Sequence, residues 1–410
     1  MLTTPETSDC GRQLRILHML ETIDSKSGGP VQGMLVSATA QLARAIPEVV
    51  TLDPPDAPFI KAFPFKVHAF GEPHWINSLA PAYGYTKSLL PWLKANLNQY
   101  DAVVVHGIWC YHALAAWQAL AGTSIPYVVY THGMMDPWFK QAYPLKHLKK
   151  QAYWSAFLGK ILRDAQMVLF TAEDERILAR GVFSGYSKYN ERVVKFGITP
   201  PPGNVQEQVA AFRTLMPDLN NRKFLLFLGR IDPKKGCDLL VESFCKVKPA
   251  DIDLVMAGPD RIGWQPELEM IATKYGMSDR IHWPGMVSGD AKWGAFRQAE
   301  AFVLSSHQEN FGIAVAEALA CRTPVLISNK INIWREIESG GGGLVADDTL
   351  PATEDLLRRF ITMDPDQHRK MREDAETVFA ENFDITHWAD ELIDIIEDEL
   401  LPAMMVRKPT

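Results

Sequence analysis

Short apolar runs recur along this chain, and a cluster of glycine, histidine or charged residues stands directly after almost every one of them. The clearest case is residues 301–328, AFVLSSHQENFGIAVAEALACRTPVLIS. Ala301–Leu304 has the length and apolarity of a strand, Ser305 to Gln308 a polar turn, the stretch up to Cys321 a helical pattern, and 325–327 a second strand. Strand, loop, helix, strand is the unit of a parallel α/β sheet. The same reading gives strands at Leu14–Leu20, 101–106, 126–131, 167–171 and 193–196 in the first half. The second half has them at 224–228, 251–257 and 280–283. The clusters therefore gather at the carboxyl edge of a sheet, where open α/β folds bind their ligands.

The chain has 410 residues, more than one ordinary core accommodates, so two domains are expected. The richest turn chemistry lies at residues 197–203, GITPPPG, which sets the expected division at 1–200 and 201–384. Residues 46–100 are rich in proline and aromatics and yield no assignment. A net charge of −7 argues against nucleic acid as the main partner. The five cysteines, Cys10, Cys110, Cys237, Cys245 and Cys321, form no C-x-x-C pair and read as thiols in a reducing compartment. No apolar run reaches the ~18 residues of a membrane span. The first thirteen residues lack a signal-peptide core, so a cytoplasmic protein is expected.

Several clusters carry chemistry. Ser27-Gly28-Gly29-Pro30 precedes a helical stretch at 31–45 and reads as a close approach to phosphate or as an ordinary turn. Neither a dinucleotide G-x-G-x-x-G nor a Walker motif accompanies it. His106-Gly107-Ile108-Trp109 and His132 to Trp138 each close a strand. Arg230 and Lys235 share one loop after a strand and could neutralise a diphosphate, or form a solvated basic turn. Glu309 and Glu317 stand eight apart and can converge on one spot, beside the helix-start amides around Phe311 and Gly312, which suit an anion. Carboxylates beside an anion site fit a ligand with both hydroxyls and phosphate, such as a sugar nucleotide. Asp251-x-Asp253 lies inside a strand and reads as structural, so no metal site is assigned. Residues 140–163 carry six basic residues, no acidic one up to Arg163, and interleaved aromatics. They read as a helix at an anionic membrane surface or as a solvated helix. Six of the eleven tryptophans precede residue 200, where they suit sugar stacking or burial.

The sequence Glu-Asn-Phe-Gly at 309–312, Glu-Ala-Leu-Ala at 317–320 and Pro-Val at 324–325 resembles the signature of family-4 retaining glycosyltransferases, and Gly-Arg-x-x-x-Lys-Lys-Gly at 229–236 resembles their diphosphate clamp. The resemblance is specific over residues 224–346 and looser over 14–200. It implies a GT-B fold: two Rossmann-like, doubly wound parallel-sheet domains facing across a cleft, with a terminal helix at 385–405 packed back on the first. It also implies transfer of a sugar, with retention and without metal or cofactor, from a nucleotide-diphosphate sugar. The acceptor would be a glycan or lipid-linked molecule, in cell-surface or exopolysaccharide synthesis, and the leaving diphosphate would take the acceptor's proton, so that no dedicated protein base is required. Arg230 and Lys235 would bind diphosphate, Glu309 the donor sugar, and Glu317 the ribose. Asn310, Phe311 and Gly312 would hold sugar and phosphate through their backbone. Gly28 and Gly29 would face the diphosphate, while Gly258, Pro259 and Met286 border the base. His132 would be the active-site histidine, with His106, Trp109 and Trp138 on the acceptor side. Relatives usually have Asn-Gly where this chain has Phe196-Gly197. A GT-B epimerase and a non-catalytic sugar-nucleotide-binding subunit share the same residues and remain alternatives.

Overall fold

The structure, a computed structural model, describes residues 12–72, 83–185, 188–219 and 222–406. Cys10, Trp75 and all but the last two of the first thirteen residues lie outside the described part. The first sheet has seven strands: β1 Leu14–Leu20, β2 Ala45–Thr51, β3 Lys66–Ala69, β4 Ala102–His106, β5 Tyr127–Tyr130, β6 Met167–Phe170 and β7 Glu191–Val193. Their order is β3-β2-β1-β4-β5-β6-β7. The second has six: β8 Lys223–Leu228, β9 Ile252–Ala257, β10 Ile281–Gly285, β11 Ala301–Leu304, β12 Val325–Ser328 and β13 Gly343–Ala346, in the order β10-β9-β8-β11-β12-β13. Neighbouring strands in both sheets are parallel. Each is a doubly wound Rossmann-like sheet, and its order reverses between β1 and β4 or between β8 and β11. Those reversals are the switch points at which such sheets open a ligand crevice.

Burial explains why the strands were readable. The inner ones are covered on both faces, so runs such as Val103-Val104-Val105 and Leu225-Leu226-Phe227 are wholly buried. β2 and β3 escaped the sequence reading. β2 carries Pro47, which has no amide to donate, and Glu48, a carboxylate that should shun the interior. Glu48 is buried because Arg15 (2.6 Å), His68 (2.8 Å) and Tyr100 (2.8 Å) donate to it and Lys66 stands at 3.1 Å. None of these partners adjoins it in sequence. The helix read at 31–45 runs from Gly29 to Ala40, and Ala45 already belongs to β2.

The chain divides into two compact units. One comprises residues 1–171, 176–195 and 388–410, the other 172–175 and 196–387. The last stretch of chain is therefore part of the first unit. Gln41 donates to the Ala389 carbonyl (2.7 Å), Arg44 to Asp394 (2.6 Å) and Glu397 (2.5 Å), and Arg192 to Glu399 (2.7 Å). The single terminal helix expected over 385–405 is instead a series: Ile385–Trp388, Glu391–Asp394, a π-helical turn Ile395–Leu400, and Leu401–Val406. The wider turn shifts the helical register, and Ile393 joins Leu392, Ile395 and Ile396 in the core.

Residues 140–163 are also broken. Helices Trp138–Ala142 and Pro144–Tyr153 meet at Pro144, and a π-helical turn, Trp154–Leu158, leads into Gly159–Asp164. Trp154, Leu158, Ile161 and Leu162 enter the core, whereas helix Pro144–Tyr153 buries no residue. Cys110, Cys237, Cys245 and Cys321 are buried thiols without disulfides. No described helix is long and apolar enough to cross a membrane.

Candidate active site

In the second unit the loops after β8 and β11 flank the switch point. The β8 loop is built tightly. Asp232 accepts from the Lys234 amide (3.0 Å) and caps a 3-10 turn, Pro233–Lys235. Gly236 ends the turn in the left-handed region (φ 62°), and a Cβ there would meet the Ser305 carbonyl oxygen at 2.0 Å. Only glycine lets this loop press against the β11 loop. The two are also laced together, because the His307 amide (2.8 Å) and Ser306 hydroxyl (2.9 Å) both donate to the Lys234 carbonyl. This brings Lys235 into an ion pair with Glu309, both largely shielded from solvent. Burial works to raise the Glu309 pKa, but Lys235, Lys234 and Arg230 together hold it below the ordinary glutamate value. The Arg230 side chain is exposed.

Glu309 is pinned by its backbone too. Its amide donates to the Lys330 carbonyl (3.0 Å), and its carbonyl accepts from the Asn332 amide (3.1 Å). Asn332 also donates to the Asn310 side chain (3.3 Å). Phe311 is buried, with its ring against Phe196 (6.3 Å) and Phe383 (5.7 Å). Phe196, where the resemblance implies Asn, thus has a packing role. Its neighbour Gly197 must be small, since a Cβ would lie 2.5 Å from the Ile385 Cα. Gly312 (φ 72°) starts helix Ile313–Ala320. Glu317 lies in that helix and pairs with Lys292 at 2.7 Å. Burial raises the Glu317 pKa, and Lys292 opposes the rise. The two glutamates are thus each tied to a different lysine.

Two more strand ends, those of β9 and β10, adjoin. Gly258 (φ 145°) approaches Gly229 so closely that a Cβ would sit 1.7 Å from the Gly229 oxygen. The Gly258 amide donates to the Gly285 carbonyl (2.7 Å), and the Ile231 amide donates to the Pro259 carbonyl (3.0 Å). Met286 is 62% exposed at the end of β10. Asp253 is a structural charge: Arg280 (2.5 Å), Arg222 (3.0 Å) and His282 (3.0 Å) surround it.

In the first unit Gly28 (φ 97°) caps helix Gly29–Ala40, and a Cβ on it would meet nothing within 4 Å. The left-handed backbone, not crowding, requires glycine there. His106 ends β4 and His132 follows β5, with their rings joined Nδ1 to Nε2 at 3.0 Å. His132 has φ 49°, a conformation uncommon outside glycine. Trp109 donates to the Met134 carbonyl (3.3 Å), and the Lys150 ammonium lies 4.4 Å from its ring centre. Trp138 stacks edgewise on Phe139 and Tyr143.

The sequence reading missed His18, which lies mid-strand in β1 and joins His106 at 3.1 Å. It also missed Lys292, whose tie to Glu317 spans 25 residues. Neither stands in a post-strand cluster, the signal that revealed the others.

Two family models match this chain: Glycosyl transferases group 1 over residues 217–378, and Glycosyl transferase 4-like domain over 28–197. The chain belongs to the group 1 glycosyltransferases. It is 26% identical over 183 residues to alpha-D-kanosaminyltransferase of Streptomyces kanamyceticus, covering 44% of this chain and 47% of that one. It is 34% identical over 139 residues to the D-inositol 3-phosphate glycosyltransferase of Thermomonospora curvata, covering 31% and 32%. It spans less than half the length of these curated relatives. Among solved structures, Anabaena Alr3699/HepE in complex with UDP and glucose superposes with a TM-score of 0.72 at 16% identity, covering 94% of this chain and all of that one. At that identity the likeness shows the shared GT-B fold.

Proposed function

We propose that this group 1 family member transfers a sugar, with retention, from a nucleotide-diphosphate sugar to a glycan or lipid-linked acceptor. The observation that carries the proposal is the Lys235–Glu309 pair, held with Arg230 on the two loops that flank the switch point of the second sheet. As the sugar–phosphate bond breaks, negative charge grows on the diphosphate. Arg230 and Lys235 would stabilise it, an effect of ~3–4 kcal/mol for a well-placed donor. Glu309, kept ionised by the surrounding cations, would hold the donor sugar near its anomeric carbon as that centre becomes oxocarbenium-like. Glu317 would accept from the ribose hydroxyls. The leaving phosphate would take the acceptor's proton on the same face. Two protein cations on one loop supply the charge that a metal would otherwise bring. HepE was also solved with UDP-glucose, which supports a donor of the UDP-sugar class.

The acceptor side is proposed for the first unit, at an anionic membrane surface. Helix Pro144–Tyr153 supports this. It buries no residue, exposes Leu145 (80%) and Leu148 (68%), and carries Lys146, Lys149 and Lys150. A pathway in cell-surface polysaccharide synthesis would use such an acceptor. The test of transfer is release of nucleoside diphosphate from a panel of sugar nucleotides with and without glycan or lipid acceptors. Acceptor-dependent release, lost in Lys235→Ala, supports the reading. No release from any donor in the panel overturns it.

A further inference from the structure

Glu317 is the one polar residue of helix Ile313–Ala320, whose other members are isoleucine, valine, leucine and alanine. Its neighbours Val315, Ala316, Ala318 and Leu319 are fully buried. A carboxylate in such a setting stays charged only if a cation answers it. Among the described residues that cation is Lys292, whose Nζ stands 2.7 Å from Glu317 Oε1, and the Glu317 side chain makes no other ion pair or hydrogen bond. Burial works to protonate Glu317, and Lys292 alone opposes it. The side chains of Lys292 and Glu317 are 23% and 14% exposed, so the pair is shielded without being sealed.

The lysine is carried by a firmly seated element. Lys292 lies in helix Gly289–Gln298, which connects β10 to β11. Gly294 packs so closely on helix Val205–Leu215 that a Cβ would run into the Gln208 carbonyl oxygen. Arg297 donates to the Gln208 side chain (2.8 Å) and Arg213 to the Gln298 side chain (2.9 Å). Thr323, just beyond the glutamate's own helix, donates to the Phe296 carbonyl (2.6 Å) and ties the two helices together. The Lys292 ammonium also lies 4.0 Å from the Trp293 ring centre. A carboxylate has roughly four acceptor positions. Lys292 takes one on Oε1, and Oε2 has no partner among the described residues. An ionised carboxylate only accepts, whereas a protonated one presents a donor, and hydrogen bonds to the ionised form are about twice as strong. A ribose diol brings two hydroxyl donors. The charge on Lys292 therefore decides how well Glu317 can receive them.

We propose that Lys292 is a positioning residue that fixes Glu317 as a hydrogen-bond acceptor and so sets this protein's preference for a donor nucleotide with an intact ribose diol, a role that rests on the proposed contact of Glu317 with the ribose. The test is titration calorimetry of the intact protein with UDP, GDP and ADP, each against its 2′,3′-dideoxy form. For the base that binds, the wild type should hold the ribonucleotide about tenfold or more tightly than the dideoxy form. Lys292→Met should reduce that ratio to about twofold, and Lys292→Arg, which keeps the charge, should bring it back to within about threefold of wild type. Lys292→Gln keeps a donor but not the charge, so it should behave like the methionine variant, and it serves where loss of one buried partner prevents that variant from folding. In turnover assays the neutral variants should raise donor KM about fivefold or more with kcat within about twofold. A wild-type ratio in either folded neutral variant overturns the role of Lys292 and leaves the ribose contact standing. A ratio lost as fully in Lys292→Arg as in Lys292→Met shows packing rather than charge, and also overturns it. A wild type that binds the paired forms equally overturns the ribose contact itself, and the role of Lys292 with it. Binding of none of the three nucleotides overturns the donor reading on which both depend.

Discussion

Lys235 and Glu309 make the most demanding pair in the second unit, since each is largely buried and each compensates the other's charge. Removing the lysine does more than subtract a phosphate contact. It leaves Glu309 with less positive charge around it, so burial, which opposes ionisation, gains the upper hand. Lys235→Ala should therefore lower kcat on the order of 10²-fold, and Arg230→Ala, at an exposed site, should do so without loss of fold. Both are checked by turnover at saturating donor alongside a melting curve. The glutamates should part company. Glu309→Ala should mainly lower kcat, and Glu317→Ala should mainly raise donor KM, because ribose contacts persist from ground to transition state. Identical profiles would refute that division. Gly258 calls for a different measurement. A Cβ there collides with the Gly229 oxygen, whereas at Gly276 it meets nothing within 4 Å. Gly258→Ala should cost more than ~2 kcal/mol in denaturant unfolding, and Gly276→Ala only ~1 kcal/mol, since both have left-handed backbones but only one is crowded.

At the scale of elements, what the sequence made legible follows from how each strand is buried. β5 and β11 are apolar throughout, β4, β8 and β12 are apolar except at one end, and β9 is interrupted only by Asp253, because helices cover both sheet faces, and a run of that kind announces itself. β2 hides behind Pro47 and Glu48, and only the folded sheet brings up Arg15, Lys66, His68 and Tyr100 to neutralise the carboxylate. The site divides in the same way. Arg230, Lys235 and Glu309 stand in post-strand loops and were readable from their spacing. His18 and Lys292 enter through contacts between strands or helices distant in sequence, for which no local pattern exists. The Glu48 cluster makes a testable pH dependence. Burial opposes ionisation of Glu48, but His68, Arg15, Tyr100 and Lys66 outweigh it and hold its pKa at about 2, below the unfolded value of 4.5. A depressed carboxylate contributes stability above the unfolded pKa and loses it as pH falls through the folded one. The difference in unfolding free energy between wild type and Glu48→Gln should thus be level above about pH 5 and shrink between pH 4.5 and 2. A constant difference across that window would mean the cluster does not act through charge.

For the whole molecule, the distribution of charge sets apart one place from the rest. The chain carries a net charge of −7, yet helix Pro144–Tyr153 has three lysines among its ten residues and no acidic one. The π-helical turn that follows is anchored by Trp154 and Leu158 and the helix beyond it by Ile161 and Leu162, so the lysine-bearing helix leads into a fixed base. Leu145 and Leu148 stay in solvent, so their apolar surface is available for burial against lipid. Not all of the basic charge is available. Lys150 lies over the rings of Trp109 and Phe139, and burial and Lys146 lower its pKa, so Lys146 and Lys149 should dominate any attraction to anionic lipid. Each basic residue near such a surface is worth ~1 kcal/mol, and burial of two leucines adds ~3 kcal/mol or more. These terms respond differently to salt, since the charge attraction is screened beyond ~8 Å at physiological ionic strength and the apolar one is not. In flotation with vesicles containing anionic lipid, the wild type should bind at low salt and weaken at high salt. Lys146→Gln with Lys149→Gln should remove the salt-sensitive part, and Leu145→Ser with Leu148→Ser the part that survives salt. A wild type that stays unbound at low salt would show that this helix is merely solvated, and that a lipid-linked acceptor must be met elsewhere on the first unit.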